Sequence, residues 1–98
     1  MGRKVILSPR AIEDLESIVR YIAQDSQDRA CALADALIAR TKQLTHFPES
    51  GRIVPEYHDP AAREIIHGTY RIIYRLSPDG ATVEVSRFWH AKRGTPEP

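Results

Sequence analysis

The sequence predicts an α+β fold of order β-α-α-β-β-β, in which a helical hairpin packs on one face of a mainly antiparallel sheet. Two observations lead to this prediction. Residues 63–76 contain two β-branched and aromatic runs on either side of Gly68-Thr69, a pair suited to the type II′ turn of a β-hairpin. Residues 9–44 carry apolar side chains at helical spacing, interrupted once. Neither helix can bury its apolar stripe alone, so the apolar face of the hairpin is the expected partner.

The amino-terminal part of the chain predicts an edge strand followed by a helix. The apolar run Val5-Ile6-Leu7 is long enough only for an edge strand. Ser8 and Pro9 then begin a helix, because a serine side chain caps free N–H groups and proline fits the first helical position. The apolar positions expected to be buried are Ala11, Ile12, Leu15, Ile18, Val19, Ile22 and Ala23. The charged positions expected to face water are Glu13, Asp14, Glu16 and Arg20.

A second helix is predicted after residues 25–28, which break the stripe and offer a new N-cap. Its expected buried positions are Ala30, Leu33, Ala34, Leu37, Ile38, Thr41 and Leu44. The helix ends before Phe47-Pro48, because proline disfavours a helical residue ahead of it. Cys31 is expected to be a small buried or half-buried thiol. Residues 48–60 show no period and predict an extended loop.

Side-chain alternation assigns the two faces of the central hairpin. If Gly68 and Thr69 form the loop, His67 pairs with Tyr70 and Ile65 with Ile72. The core face then carries Ile65, Tyr70, Ile72, Tyr74 and Leu76. The opposite face carries Glu64, Ile66, Arg71, Ile73 and Arg75, and we expect it to be open to solvent.

A third strand follows the predicted four-residue turn at residues 77–80, which places Tyr74 opposite Val83 and Ile72 opposite Val85. Continued alternation would place Arg87 in the core instead of Phe88. Since an unpaired arginine in a core is costly, the sequence predicts a β-bulge near Ser86-Arg87.

Length and composition limit the classes of protein. The 98 residues predict a single domain, residues 1–98, with a disordered tail at residues 95–98. The net charge of +1 is spread along the chain, so no charge block indicates nucleic-acid or membrane binding. No apolar run approaches the roughly 18 residues of a membrane span. Met1-Gly2 begins like an N-myristoylation signal, but Ile6 stands where Ser or Thr is required. A cytoplasmic protein is the simplest interpretation.

The candidate target-binding residues are cations of the open face and the basic end of the chain, namely Arg71, Arg75, Arg87, His90, Lys92 and Arg93. Two interpretations remain open. In the first, Glu64 neutralises Arg71 and Arg75 through cross-strand ion pairs. In the second, the face is a cationic floor for a phosphate or an acidic protein surface.

The sequence assigns no catalytic residue, cofactor or metal site. Glu64, His67 and His90 are candidate acids or bases for metal-free RNA cleavage, with Arg71 as the cation, but His67 fits a structural role on the core face better. The four histidines lack metal-ligand spacing, and no Ser-His-Asp order or phosphate-binding glycine loop is present.

The ordered set of segments resembles the ParE toxins of type II toxin–antitoxin systems, which belong to the RelE/ParE superfamily. The residues that carry the resemblance are Ser8-Pro9, Tyr21-Ile22-Ala23, Phe47-Pro48, Gly51-Arg52, Arg63-Glu64, Tyr70-Arg71-Ile72-Ile73-Tyr74, His90 and Arg93. No single motif is specific, but together they cover nearly the whole chain. The resemblance implies the same β-α-α-β-β-β fold.

The resemblance also implies one of two activities. ParE-type toxins, as in plasmid-stabilisation modules, inhibit DNA gyrase and are neutralised by a ParD-like antitoxin with a ribbon-helix-helix part. RelE-type toxins cut mRNA in the ribosomal A site. The resemblance implies that they use an arginine of the Tyr-Arg strand, a second arginine near the end of the last strand, lysines before the hairpin and a late tyrosine. Arg71 fits the Tyr-Arg position, but residues 51–62 contain no lysine, Ala91 stands near the second expected arginine, and the tail has no tyrosine. These departures favour the gyrase inhibitor.

The resemblance implies the antitoxin as a partner, and a separate physical argument locates its contacts: two helices and a three-stranded sheet leave apolar strips exposed. We expect the antitoxin to contact the outer helix surface around Leu33 and Leu37, and a sheet edge. Direct nucleic-acid binding is not expected outside a complex, and no membrane partner is expected.

Overall fold

The computed structural model describes residues 3–98; Met1-Gly2, with its myristoylation-like start, lies outside the described residues. The elements in chain order are β1 (Lys4–Leu7), α1 (Pro9–Ala23), α2 (Gln27–Lys42), a 3₁₀ turn (Gln43–Thr45), β2 (Arg52–Ile53), β3 (Ala62–His67), β4 (Tyr70–Leu76), β5 (Thr82–His90) and a second 3₁₀ turn (Ala91–Arg93). The five strands form one sheet of order β1-β5-β4-β3-β2. Strand β1 runs parallel to β5, and the other neighbours are antiparallel. The predicted fold class is confirmed, and the two-residue β2 is an addition within the predicted loop.

Both predicted helix starts are confirmed by their capping bonds. The Ser8 hydroxyl accepts from the Ala11 N–H at 3.1 Å, with Pro9 in the first turn. The Ser26 hydroxyl accepts from the Arg29 N–H at 3.2 Å. These bonds satisfy N–H groups that have no partner within their own helix.

Helix α1 buries a narrower face than predicted. Ala11 is buried, and Leu15 and Ile18 pack beside it against the core. At about 100° per residue, Ile12 stands about 90° from the centre of this face. Ile12 is therefore exposed, and the prediction that it is buried is wrong.

The central hairpin has the predicted register and faces. His67 pairs with Tyr70 and Ile65 with Ile72, and the φ of +59° at Gly68 fits the first position of the type II′ turn. The predicted core face joins residues of both helices and of β5 in one buried cluster: Ala11, Leu37, Leu44, Ile65, Tyr70, Ile72, Tyr74, Val83, Val85 and Phe88.

The predicted register between β4 and β5 is wrong by two residues. Tyr74 lies opposite Val85, and Leu76 lies opposite Val83. The loop is displaced by one residue, because the Ser77 N–H donates to the Thr82 carbonyl at 2.8 Å, so residues 78–81 and not 77–80 connect the strands. A shift of two residues keeps every side chain on its face, so both valines remain in the core.

The predicted β-bulge is confirmed. Ile73 pairs with Arg87 and Tyr74 with Val85, which leaves Ser86 as the extra residue of β5. The bulge returns Phe88 to the core face, where it is buried.

The face of the sheet away from the helices is not open, contrary to the prediction. Val54, Ala62, Ile73 and Trp89 form a second buried cluster, against which Tyr57 packs. The segment 54–61 folds back on the sheet, and its ends are joined by a bond from the Val54 N–H to the Ala62 carbonyl at 3.0 Å. A loop without sequence period thus covers much of the face that alternation alone would leave in water.

Two further expectations fail. Cys31 is exposed and not buried. The carboxyl-terminal residues pack instead of extending freely: Pro96 is buried, and the Glu97 carbonyl accepts from Arg87 at 3.2 Å. Among residues 3–98, no helix is long and apolar enough to cross a membrane.

Candidate functional site

Arg71, in the middle of β4, is held by carboxylates on both edges of its guanidinium group. Its Nε donates to Glu64 Oε1 at 2.5 Å, and its Nη2 donates to Glu64 Oε2 at 3.1 Å. Its Nη1 and Nη2 also donate to the two Glu56 oxygens at 2.8 and 2.6 Å. The side chain of Glu64 is 0% exposed and that of Arg71 is 10% exposed. The prediction that Arg71 lies on an open face is therefore wrong.

Four segments, of which β4 with Arg71 is one, bring this group of charges together. Glu64 lies on β3 diagonally across from Arg71, since it pairs directly with Ile73. Glu56 comes from the covering loop, and Arg52 of β2 donates to Glu64 Oε2 at 2.7 Å. We call Arg52, Glu56, Glu64 and Arg71 the arginine cluster.

The electrostatics of the arginine cluster are those of mutual neutralisation. The hydrogen bonds from Arg71 lower the pKa of Glu56 from its ordinary 4.5 to about 2, against the opposing effect of desolvation. The bonds to Glu56 and then to Glu64 raise the pKa of Arg71 above its ordinary value. Of the two interpretations left open by the sequence, the geometry at Arg71 fits the ion pair and not a free cationic floor.

Arg75 has a different partner from the one predicted. Its Nη1 donates to Asp59 Oδ2 at 2.6 Å, and not to Glu64. This bond lowers the pKa of Asp59. Arg75 therefore joins the covering loop to β4. Its side chain remains 38% exposed to solvent.

Arg87 is buried and joins β5 to the first helix. Its Nε and Nη2 donate to the Asp14 carboxylate at 2.7 and 2.9 Å, and Asp14 also accepts from the Phe88 N–H at 3.0 Å. Asp14 was expected in water, but its side chain is only 11% exposed. The bond to Asp14 raises the pKa of Arg87. This ion pair positions α1 on the bulged part of β5.

The other three predicted cations lie together at a groove. His90, Lys92 and Arg93 line an open groove of about 600 Å³ between α1 and the carboxyl end of β5. The remaining lining residues are Asp14, Ser17, Ile18, Tyr21, Tyr70 and Phe88. We call this the terminal groove. The structure thus divides the predicted target-binding residues into three paired arginines and three groove residues.

The side chains at the terminal groove are held in place by contacts among themselves. The rings of Tyr70 and His90 meet edge to face, with centroids 5.1 Å apart. His90 Nδ1 accepts from the Lys92 N–H at 3.1 Å. The Arg93 guanidinium lies 3.9 Å from the centre of the Trp89 ring, within the range of a cation–π contact. Burial, and then the nearby Tyr21, raise the pKa of Tyr70.

Leu33 and Leu37, the predicted antitoxin contacts, do not lie on the outer surface of the helices. Leu37 is fully buried, and Leu33 packs against the core, so neither forms an exposed surface. Helical period assigned both to the apolar stripe, and that stripe is the face turned inward. An apolar groove of about 330 Å³ is open on the helices instead, lined by Leu15, Glu16, Val19, Arg20 and Ala34.

Three site residues escaped the sequence analysis. Glu56 lies in a segment without period, so nothing local indicates its contact with Arg71. Tyr21 appeared only within the resemblance. Asp14 stands one turn before Ile18 on the edge of the helical stripe, which is the signal that could have placed it near the sheet. Within residues 3–98, no three His, Cys, Asp or Glu side chains form a group that could hold a metal ion.

Comparison with known proteins gives a consistent set of relatives. Residues 5–94 match the family model described as the ParE toxin of type II toxin–antitoxin systems, parDE. The chain is 33% identical to "Toxin RelE1" of Caulobacter vibrioides over 90 residues, which cover 88% of this chain and 90% of that protein.

Solved structures share the fold at low sequence identity. A chain of the chromosomal ParDE system from P. aeruginosa superposes with a TM-score of 0.74 at 16% identity, covering 91% of this chain and 96% of that one. A chain of the RelBE2 toxin–antitoxin complex from Mycobacterium tuberculosis gives 0.68 at 21% identity, covering 92% and 99%. A mutant of toxin RelE from E. coli gives 0.68 at 15% identity, covering 96% and 88%.

Proposed function

This chain belongs to the ParE toxin family of type II toxin–antitoxin systems, and from that premise we propose that it inhibits DNA gyrase and is neutralised by a ParD-like antitoxin. The toxin role within the ParE/RelE superfamily follows from the family itself. The target and the class of antitoxin are the proposed parts.

The closed arginine cluster is the observation that supports gyrase over the ribosome. A metal-free ribonuclease needs a cation free to bind the phosphate on which charge develops. Arg71 occupies the strand position that such an enzyme would use, but four of its five N–H donors are already bound to Glu56 and Glu64. Separating a buried ion pair costs about 3–5 kcal/mol. A phosphate would have to overcome that cost before Arg71 could stabilise a transition state.

A supercoiling assay tests the target. Purified protein is added to gyrase, ATP and relaxed plasmid over a wide concentration range, and we expect loss of supercoiling together with gyrase-linked DNA cleavage. The control is relaxation of the same plasmid by a topoisomerase unrelated to gyrase, which should be unaffected. Unchanged supercoiling and no cleavage at any concentration would exclude gyrase as the target.

An antitoxin partner is supported by the solved relatives, of which one comes from a ParDE system and another from a RelBE2 complex. We propose a ribbon-helix-helix protein encoded next to this chain. Co-expression of the adjacent short reading frame should restore growth and co-purify with the toxin. Growth arrest that persists in the presence of every neighbouring frame would contradict this partner.

One observation favours a second candidate, a RelE-like ribosome-dependent mRNA endoribonuclease. The relative with 33% identity carries the name "Toxin RelE1". Primer extension on translated messages after induction would reveal cuts at A-site codons if this activity is present. Uncut messages together with growth arrest would remove it.

A further inference from the structure

The charges that surround the terminal groove are unevenly matched. Asp14 is the one carboxylate among the residues that line it, and Asp14 is already bound to Arg87 and to the Phe88 N–H. Lys92 and Arg93 are both exposed. Within residues 3–98, neither forms an ion pair with a carboxylate. The groove therefore presents positive charge that the rest of the chain does not neutralise.

The other three predicted site cations, which are arginines, differ from Lys92 and Arg93 because each has a carboxylate partner. Arg71, Arg75 and Arg87 each have a carboxylate partner within 2.7 Å. A chain that neutralises its other predicted site cations internally leaves these two free at one place. That placement is the arrangement expected for binding an external anion.

The groove also offers apolar contact beside the charge. Ile18 and Phe88 contribute to its lining, and Tyr21, with 70% of its surface exposed, stands at its rim. Its volume of about 600 Å³ is large enough for a few side chains of a peptide. An occupant that satisfies both parts of the groove carries an acidic group next to an apolar one.

We propose that the terminal groove binds an acidic peptide segment of a partner protein, with a carboxylate at Lys92 and Arg93 and an apolar side chain against Ile18 and Phe88. The inference deepens the proposed function by giving the chemistry of a partner of this toxin, and it rests on that function only for the partner's role. A single-stranded nucleic acid fits less well. Two adjacent cations and a net charge of +1 do not form the extended basic track that follows a phosphate backbone.

The groove residues lose little freedom on binding. Arg93 is already stacked on Trp89, and the ring of His90 is fixed by Tyr70 and by the Lys92 N–H. Side chains that are ordered in advance reduce the entropic cost of association. With Nδ1 occupied as an acceptor, neutral His90 carries its proton on Nε2 and adds a donor to the groove.

The test uses the full chain, labelled with ¹⁵N, and a short synthetic peptide of interspersed Glu and Leu as the probe. We expect amide shifts confined to the elements that line the groove, namely α1, the start of β4 at Tyr70, and residues 88–93. Lys92→Gln should weaken binding by about two- to fivefold, the value of an exposed ion pair. Lys42→Gln, which makes the same charge change on α2 outside the groove, should leave the affinity unchanged.

A second variant keeps the proposal falsifiable if one substitution disturbs the fold. Arg93→Gln should weaken peptide binding in the same way, and its urea denaturation curve, compared with that of the parent chain, reports whether the fold is kept. Shifts elsewhere, equal binding of a peptide with Gln in place of Glu, or tighter binding of an oligothymidylate would each overturn the proposal. Because no gyrase is present, failure here is distinct from failure of the proposed target.

Discussion

Glu64 holds two arginines at once although its own side chain is excluded from water. It accepts from Arg71 at 2.5 Å and from Arg52 at 2.7 Å. Glu64→Ala removes one of the two carboxylates that compensate Arg71, and loss of one partner of a buried pair typically costs about 3–5 kcal/mol. We expect a fall of about 3 kcal/mol in the free energy of unfolding, measured by urea denaturation, since Glu56 remains in place. Glu84→Ala, at an exposed position of β5, is the control, and equal losses would show that the cluster contributes nothing special.

Glu56 gives the arginine cluster a pH dependence. Its pKa is lowered to about 2 in the folded chain by Arg71, against an ordinary value of 4.5. Because the folded pKa lies below the unfolded one, the stabilisation is fully present above pH 4.5 and is lost as the pH falls towards about 2. Glu56→Gln should flatten the fall in unfolding free energy across that window, measured by urea denaturation at several pH values. Glu13→Gln, exposed on α1, should keep the slope of the parent chain.

Single residues also mark the limit of sequence reasoning. Alternation placed Glu64 and Arg71 on one face correctly, because a strand has a fixed period of two. The same rule could not add Glu56, since a loop has no period and its fold depends on contacts made elsewhere. For this reason the sequence wrongly predicted that the face carrying Arg71 is open to solvent.

At the scale of elements, Ser8 has two roles and Ser26 has one. Ser8 accepts from the Ala11 N–H and donates to the Ser86 carbonyl at 3.0 Å, which joins the start of α1 to the bulge of β5. The Ser26 hydroxyl makes only the capping bond, and that bond is exposed. Ser8→Ala should cost about 2 kcal/mol and Ser26→Ala about 1 kcal/mol in thermal or urea unfolding. If Ser26→Ala costs as much, the bond to the bulge adds no stability.

The strands show which part of an element's geometry the sequence carries. The bulge followed from the sequence because uninterrupted alternation would have placed Arg87, and not Phe88, on the core face. The register of β4 with β5 did not, since it depends on which residues form the connection. There Asp79 accepts from the Ala81 N–H at 3.0 Å and from the Ser77 hydroxyl at 2.6 Å, and these local bonds hold a loop that is displaced by one residue from the predicted one.

For the whole molecule, strand order is the feature that local patterns leave undetermined. Strand β1 was predicted as an edge strand, which is correct, but nothing in Val5-Ile6-Leu7 indicates a parallel neighbour. Its place beside β5 is fixed by contacts distant in sequence, such as the bond from the Ser8 N–H to the Val85 carbonyl at 2.9 Å. Long-range pairing of this kind has no signature in a short window of sequence.

The carboxyl-terminal segment packs against the fold, although its composition predicted a disordered tail. Trp89 Nε1 donates to the Gly94 carbonyl at 3.1 Å, Arg87 donates to the Glu97 carbonyl, and Pro96 is buried. A chain ending at Gly94 keeps the first bond and loses the second along with the buried proline. We expect the free energy of unfolding to fall by about 1–3 kcal/mol.

A matched substitution separates the backbone of this segment from its charge. Glu97→Gln keeps the carbonyl that Arg87 uses and removes a carboxylate that lies 3.9 Å from Arg87 and 3.6 Å from Arg10. Exposed pairs at such distances contribute little, so we expect a change below about 0.5 kcal/mol. Urea denaturation followed by Trp89 fluorescence compares the two chains. If Glu97→Gln lost as much stability as the truncation, the segment would be held by charge, and the packing of Pro96 would not explain why residues 95–98 lie against the fold.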